Sequence, residues 1–169
     1  MKFSSSSRIL TSYEFIKWLD AKEITRSIRY IQNFYTIIPY YARFDGKNYL
    51  QILKEIEIFQ AFEHGYDEIA QNMTVFPDGK IALGRDINKT PPGINGTAGL
   101  CVRIEYILNP GNESQLINDD LTDYNTWLNT LLCMKLMIRP SSQSIISVDP
   151  SELVSGISLR LLTTEIFPT

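Results

Sequence analysis

At 169 residues, with 44% hydrophobic and 21% charged side chains, the chain has the apolar material for one core and the length of one domain. Its net charge of −3 comes from 16 basic and 19 acidic residues scattered without blocks, which argues against a nucleic-acid or anionic-membrane surface. The two cysteines, Cys101 and Cys133, have neither metal nor redox spacing, so a reducing compartment is expected.

The first residues, MKFSSSSRIL, break into serines where a signal peptide needs an apolar run, and no later segment approaches membrane-spanning length. The expectation is a cytoplasmic protein, or one released without a Sec signal. Ser4 to Ser7 read as a disordered terminal run rather than a modification target. Thr11 and Glu14 have capping-box spacing ahead of Phe15, Trp18 and Leu19, which predicts a short N-terminal helix. The run Ile28 to Ile38 is rich in β-branched and aromatic residues and stops before Pro39, as a central strand would.

After a loop through Asp45 and Gly46, apolar residues at Tyr49, Ile52, Leu53, Ile56, Phe59 and Phe62 recur at spacings of three and four. They predict a helix from Asn48 to about Glu63, stopped by Gly65. Ile69 to Phe76 and Lys80 to Leu83 flank Pro77, Asp78 and Gly79, a cluster suited to a β-hairpin turn. Lys89 to Gly99, with two prolines and three glycines, is a loop, and Leu100 to Leu108 resumes a strand. Leu121 to Ile138 predicts a second long helix ending before Pro140, and Ile145 to Val148 a short last strand. The order gives an α/β fold with a central mixed β-sheet flanked by helices. Residues 1–27 form an N-terminal extension with its short helix, and residues 28–169 the main domain, within one globular unit.

The stretch GYDEIAQNMTVFPDGKIALGR, residues 65–85, resembles the zinc N-acetylmuramoyl-L-alanine amidases, the family that includes the peptidoglycan-recognition proteins. The resemblance lies in the Gly65–Tyr66 pair, the Glu68–Ile69 step, the Pro77–Asp78–Gly79 hairpin and the Gly84–Arg85 pair. Upstream, RYIQNFYTIIPYYARFDGKNY is similar to the family segment carrying a His-His-Thr triplet before a proline and a Phe-Asx-Gly loop. The matching triplet here is Phe34, Tyr35 and Thr36. Downstream, IISVDPSELVSG places Val148 and Asp149 at a family His-His pair, and Leu159 and Leu161 at a lysine and a cysteine ligand.

The resemblance implies a central-sheet amidase fold, but the residues that would supply its chemistry differ. The family's first zinc ligand falls on Phe34, its second on Val148 and its third on Leu161. Its catalytic tyrosine falls on Gln71, its lysine on Leu159, and further histidines on Gln60 and Asn72. His64 is the one histidine in the chain, and no histidine or cysteine follows Cys133. Catalytic zinc needs three protein ligands and an open position, where it lowers the pKa of bound water to about 7. Amides at Gln71 and Asn72 cannot exchange a proton near neutral pH as imidazole can. No cofactor or metal is expected, and Asp149 reads as a turn residue before Pro150.

Taken together, the residues read as an amidase-like pseudoenzyme that binds peptidoglycan fragments. The alternatives are an active amidase with an atypical site, a protein-interaction scaffold, and a drifted copy without activity. Peptidoglycan or muropeptides are the implied partners, and no protein partner can be named. The resemblance makes Tyr35, Gln71, Asn72 and Arg85 the candidate ligand-binding residues. Tyr35, Tyr40, Tyr41 and Tyr66 suit either sugar stacking or packing, and Arg85 either a peptide carboxylate or an internal ion pair. His64 suits the C-terminal end of its helix, and the Asn95 and Asn112 glycosylation patterns suit loops.

Overall fold

The computed structural model describes residues 8–37, 43–92, 98–108, 119–136, 138–140 and 158–168. Tyr40, Tyr41, Asn95, Asn112, Val148, Asp149 and the expected strand from Ile145 to Val148 lie outside them. In chain order the elements are β1 (Ile9–Leu10), α1 (Ser12–Ala21), β2 (Tyr30–Ile37), α2 (Tyr49–His64), β3 (Met73–Val75) and β4 (Ile81–Leu83). They continue with β5 (Cys101–Leu108), α3 (Asp119–Leu136), β6 (Ile138–Pro140) and β7 (Ser158–Pro168). The strands form one mixed sheet in the order β1-β4-β3-β5-β2-β7-β6. β5 runs parallel to both β2 and β3, and the remaining pairs are antiparallel. An α/β architecture with a mixed sheet and flanking helices is thus present. Among the described residues no helix is long and apolar enough to cross a membrane.

Local chemistry accounts for the first helix. The Thr11 hydroxyl accepts from the Glu14 amide at 3.3 Å, and the Glu14 carboxylate accepts from the Thr11 amide at 2.8 Å. These bonds complete the capping box, and the Thr11 amide and then the Thr11 hydroxyl, both donating to the carboxylate, hold the Glu14 carboxyl below its usual pKa. Phe15 and Leu19, four residues apart, are fully buried. The segment that follows is tied to the loop after β4. Lys22 pairs with Asp86 at 2.8 Å, the Thr25 amide donates to Asn88 Oδ1 at 2.8 Å, and Asn88 Nδ2 donates to the Glu23 carbonyl at 3.0 Å.

Alternation along β5 divides the core into two layers. Val102, Ile104, Tyr106 and Leu108 join Phe15 and Leu19 of α1 and Leu128, Leu132 and Cys133 of α3. Ile107 belongs to the opposite cluster with Tyr49, Ile52, Leu53 and Ile56 of α2. Helix α2 ends at Gly65, whose φ of 69° is the left-handed conformation that glycine adopts at low cost, and whose amide donates to the Ala61 carbonyl at 3.0 Å.

Several boundaries differ from the sequence expectation. Phe62 does not belong to the buried face of α2: it is 86% exposed, while Glu57 and Gln60 are buried. Counting by threes and fours from Tyr49 drifts around the helix, because 13 residues at 100° each carry Phe62 to the outer side. β3 begins at Met73 rather than Ile69. Just ahead of it, the Ala70 amide is taken by the Gln60 side chain at 2.8 Å instead of by a neighbouring strand. Helix α3 stops at Leu136, and Ile138–Pro140 pairs with the end of β7 at the edge of the sheet, where a proline is tolerated.

The hairpin itself forms as expected, Val75 opposite Ile81 and Met73 opposite Leu83. Its exit is tight: a Cβ at Gly84 would sit 2.5 Å from the Gln71 carbonyl oxygen and 3.0 Å from Ile69 Cγ2. Gly84→Ala must therefore push two backbone segments apart. It is expected to lower unfolding free energy by about 1–3 kcal/mol, read as a lower urea midpoint at unchanged slope.

Candidate functional site

β2 is the strand that gathers the positions of interest, because it lies between β5 and β7. Across β7, Phe34 stands opposite Leu161 and Thr36 opposite Leu159. Across β5, Phe34 stands opposite Glu105 and Gln32 opposite Arg103. The resemblance assigned Phe34 and Leu161 to a first and a third metal ligand from opposite ends of the chain, and the register sets them side by side.

On this face the described side chains form a buried polar cluster. The Arg103 guanidinium lies over the Phe34 ring, 3.9 Å from its centroid. One of its terminal nitrogens is 3.4 Å from Glu105 Oε2, and the other donates to the Pro92 carbonyl at 3.2 Å. The second Glu105 oxygen accepts from the Thr36 hydroxyl. The Arg103 and Glu105 side chains are only 7% and 1% exposed, so the pair is buried and interacts far more strongly than a surface pair. Arg103 and Glu105 were not singled out in the sequence. The available signal was two opposite charges two residues apart, hence on one face, inside an apolar strand.

These residues cannot hold a catalytic zinc. Phe34 and Leu161 have no lone pair to donate, and Val148, although outside the described residues, has none by its chemistry. The cation above position 34 is a guanidinium, already neutralised by Glu105. Among the described residues no three His, Cys, Asp or Glu side chains group as metal ligands. His64 is exposed at the end of α2, its ring between those of Phe59 and Tyr66 at 6.0 Å and 5.3 Å. Cys101 and Cys133 are buried free thiols whose pKa values burial pushes up, away from the thiolate that zinc requires.

No family model, curated protein or solved structure matches the chain.

The remaining candidate residues divide between the two sheet faces and are held internally. Tyr35 lies on the α1 and α3 side, opposite to Phe34, and stacks on Tyr106 with centroids 5.0 Å apart. Gln71 receives the Gln60 amide at 3.0 Å and donates to the Thr74 hydroxyl at 3.0 Å. Asn72 Nδ2 donates to the Arg85 carbonyl at 3.1 Å, and its oxygen accepts from the Arg103 amide at 3.0 Å, tying the hairpin to β5. Arg85 is clamped by Asp67 at 3.3 Å, Glu68 at 3.1 Å and the Ile69 carbonyl at 3.2 Å. A carboxylate partner of Arg85 is therefore present within the chain. The Asp67 carboxyl is correspondingly held below its ordinary pKa, chiefly by its hydrogen bond to Arg85. With Tyr35, Gln71 and Asn72 all buried, these four residues do not converge on one surface.

Proposed function

We propose that the chain is an N-acetylmuramoyl-L-alanine amidase-like domain without a catalytic centre, a pseudoenzyme that acts by binding rather than by hydrolysis. The observation that carries this reading is Phe34 itself, the register partner of Leu161 across β7, with its ring beneath the Arg103 guanidinium. Two positions that the sequence resemblance makes metal ligands are adjacent in the strand register and carry hydrocarbon side chains, and the Phe34 ring lies against a guanidinium already paired with Glu105. Gln71, at the position of the family's catalytic tyrosine, spends its amide on Gln60 and Thr74 and has no proton to exchange. Any contact with peptidoglycan is then recognition without cleavage.

The test is made on purified cell walls. No release of the peptide from muramic acid above a no-enzyme control is expected, with or without added zinc. Elemental analysis should find no stoichiometric metal, and chelator should leave the melting temperature unchanged. One zinc per chain, lost together with stability on chelation, would falsify the reading. Retention on insoluble peptidoglycan, competed by soluble muropeptides, assigns the binding role to the cell wall. Its absence at millimolar muropeptide rejects the recognition role and leaves protein interaction or a drifted copy without activity.

A further inference from the structure

Two guanidiniums flank Cys101 at the head of β5. Arg26, in the segment between α1 and β2, donates from Nε to the Ile87 carbonyl at 2.5 Å and from Nη2 to the Cys101 carbonyl at 2.6 Å. Arg103 stands two residues beyond Cys101, so these two side chains leave the strand on the same face. Burial pushes the Cys101 thiol up in pKa, and the guanidiniums of Arg26 and then Arg103 oppose that rise, which places both near the sulfur. The segment after β4 reaches both arginines, through the Ile87 carbonyl on Arg26 and the Pro92 carbonyl on Arg103.

Each guanidinium keeps one buried N–H without an acceptor, Nη1 of Arg26 and Nε of Arg103. The charges do not balance either. Glu105 neutralises Arg103, whereas Arg26 makes no ion pair among the described residues. Asp86, next in the chain to Ile87, is paired with Lys22, Glu68 is paired with Arg85 and Lys89, and Glu23 is exposed. Desolvation pulls the Arg26 pKa down, opposed by the Cys101 sulfur rather than by a carboxylate. A half-buried cation without a countercharge, beside two buried donors without acceptors, calls for an anion. One surplus positive charge matches one carboxylate, whose two oxygens can take the two N–H groups.

We propose that Arg26 and Arg103 form a binding site for a small carboxylate at the head of β5. Arg26 supplies the uncompensated charge and Arg103 the second donor. Glu105, held at 3.4 Å by a terminal nitrogen of Arg103, disfavours an anion of higher charge such as phosphate. Arg26 is half-buried between the exposed Thr25 and Ser27, so the ion arrives from that end. This site is independent of the amidase resemblance, which gives no role to Arg26, Cys101 or Arg103.

Titration of the full chain with acetate, against chloride at the same ionic strength, provides the test. Saturable binding at one site is expected, with inorganic phosphate binding more weakly. Arg26→Met should weaken acetate binding at least about tenfold. Arg26→Lys, which keeps the charge but not the planar fork, should retain part of it. Lys47→Gln removes an exposed cation elsewhere and should leave the affinity unchanged. In the wild-type chain acetate should also shift the Arg103 Nε–H resonance, a readout that does not depend on any variant folding. Absence of saturable acetate binding overturns the proposal, as does binding that Arg26→Met leaves intact, that Lys47→Gln abolishes, or that leaves the Arg103 Nε–H resonance in place. Phosphate binding tighter than acetate overturns the assignment to a carboxylate.

Discussion

Arg103→Ala is expected to cost about 3–5 kcal/mol of stability, because it leaves the Glu105 carboxylate buried without its countercharge. Only the Thr36 hydroxyl would remain as a described side-chain partner for Glu105, and a hydroxyl cannot neutralise a charge that is 1% exposed. Loss of the guanidinium from the Phe34 ring removes a further attraction. The double replacement Arg103→Leu with Glu105→Leu should behave differently. It removes both charges together and fills the space with hydrocarbon, so its stability is expected within about 2 kcal/mol of wild type, on either side. Urea unfolding of the two variants checks both expectations. A cost below about 1 kcal/mol for Arg103→Ala is the behaviour of a solvated surface pair and would show that this face is open to water.

Features settled within a few residues were legible in the sequence. The Thr11 and Glu14 box, the Pro77–Asp78–Gly79 turn and the Gly65 stop depend on local backbone geometry, and each is found where its residues require it. The central place of β2 followed from a run rich in β-branched and aromatic residues. The neighbour of β2 was not legible. Ser158–Pro168 pairs with a strand some 130 residues earlier, and no local pattern in LRLLTTEIFP specifies that partner. The helix count that included Phe62 failed for a related reason: periodicity gives a row of apolar residues, but only the packed sheet decides which side of α2 is covered. The candidate site was legible as a deficit of ligands. What fills its place was not: the spacing of Arg103 and Glu105 puts the two charges on one face of an apolar strand, but nothing local says that this face meets Phe34 of β2.

Tyr35→Ala is expected to destabilise the fold by about 3–5 kcal/mol, the cost of deleting a buried aromatic side chain. The triplet Phe34, Tyr35 and Thr36 straddles the sheet, since successive residues of a strand point to opposite faces. Phe34 and Thr36 meet Arg103 and Glu105, whereas Tyr35 is 3% exposed in the core with its ring stacked on Tyr106 at an interplanar angle of 17°. A groove role would instead give a variant that folds normally and loses ligand, as the sequence resemblance implied for this tyrosine. Tyr35→Phe keeps the ring and its stacking, so it should cost no more than about 0.5–1.5 kcal/mol, the worth of an ordinary hydrogen bond. Phe62→Ala, at an exposed position, should stay within about 0.5 kcal/mol of wild type. Chemical unfolding of the three variants ranks them. If Tyr35→Ala kept wild-type stability while losing retention on peptidoglycan, Tyr35 would belong to a ligand groove and its placement among the buried residues beneath α3 would be wrong.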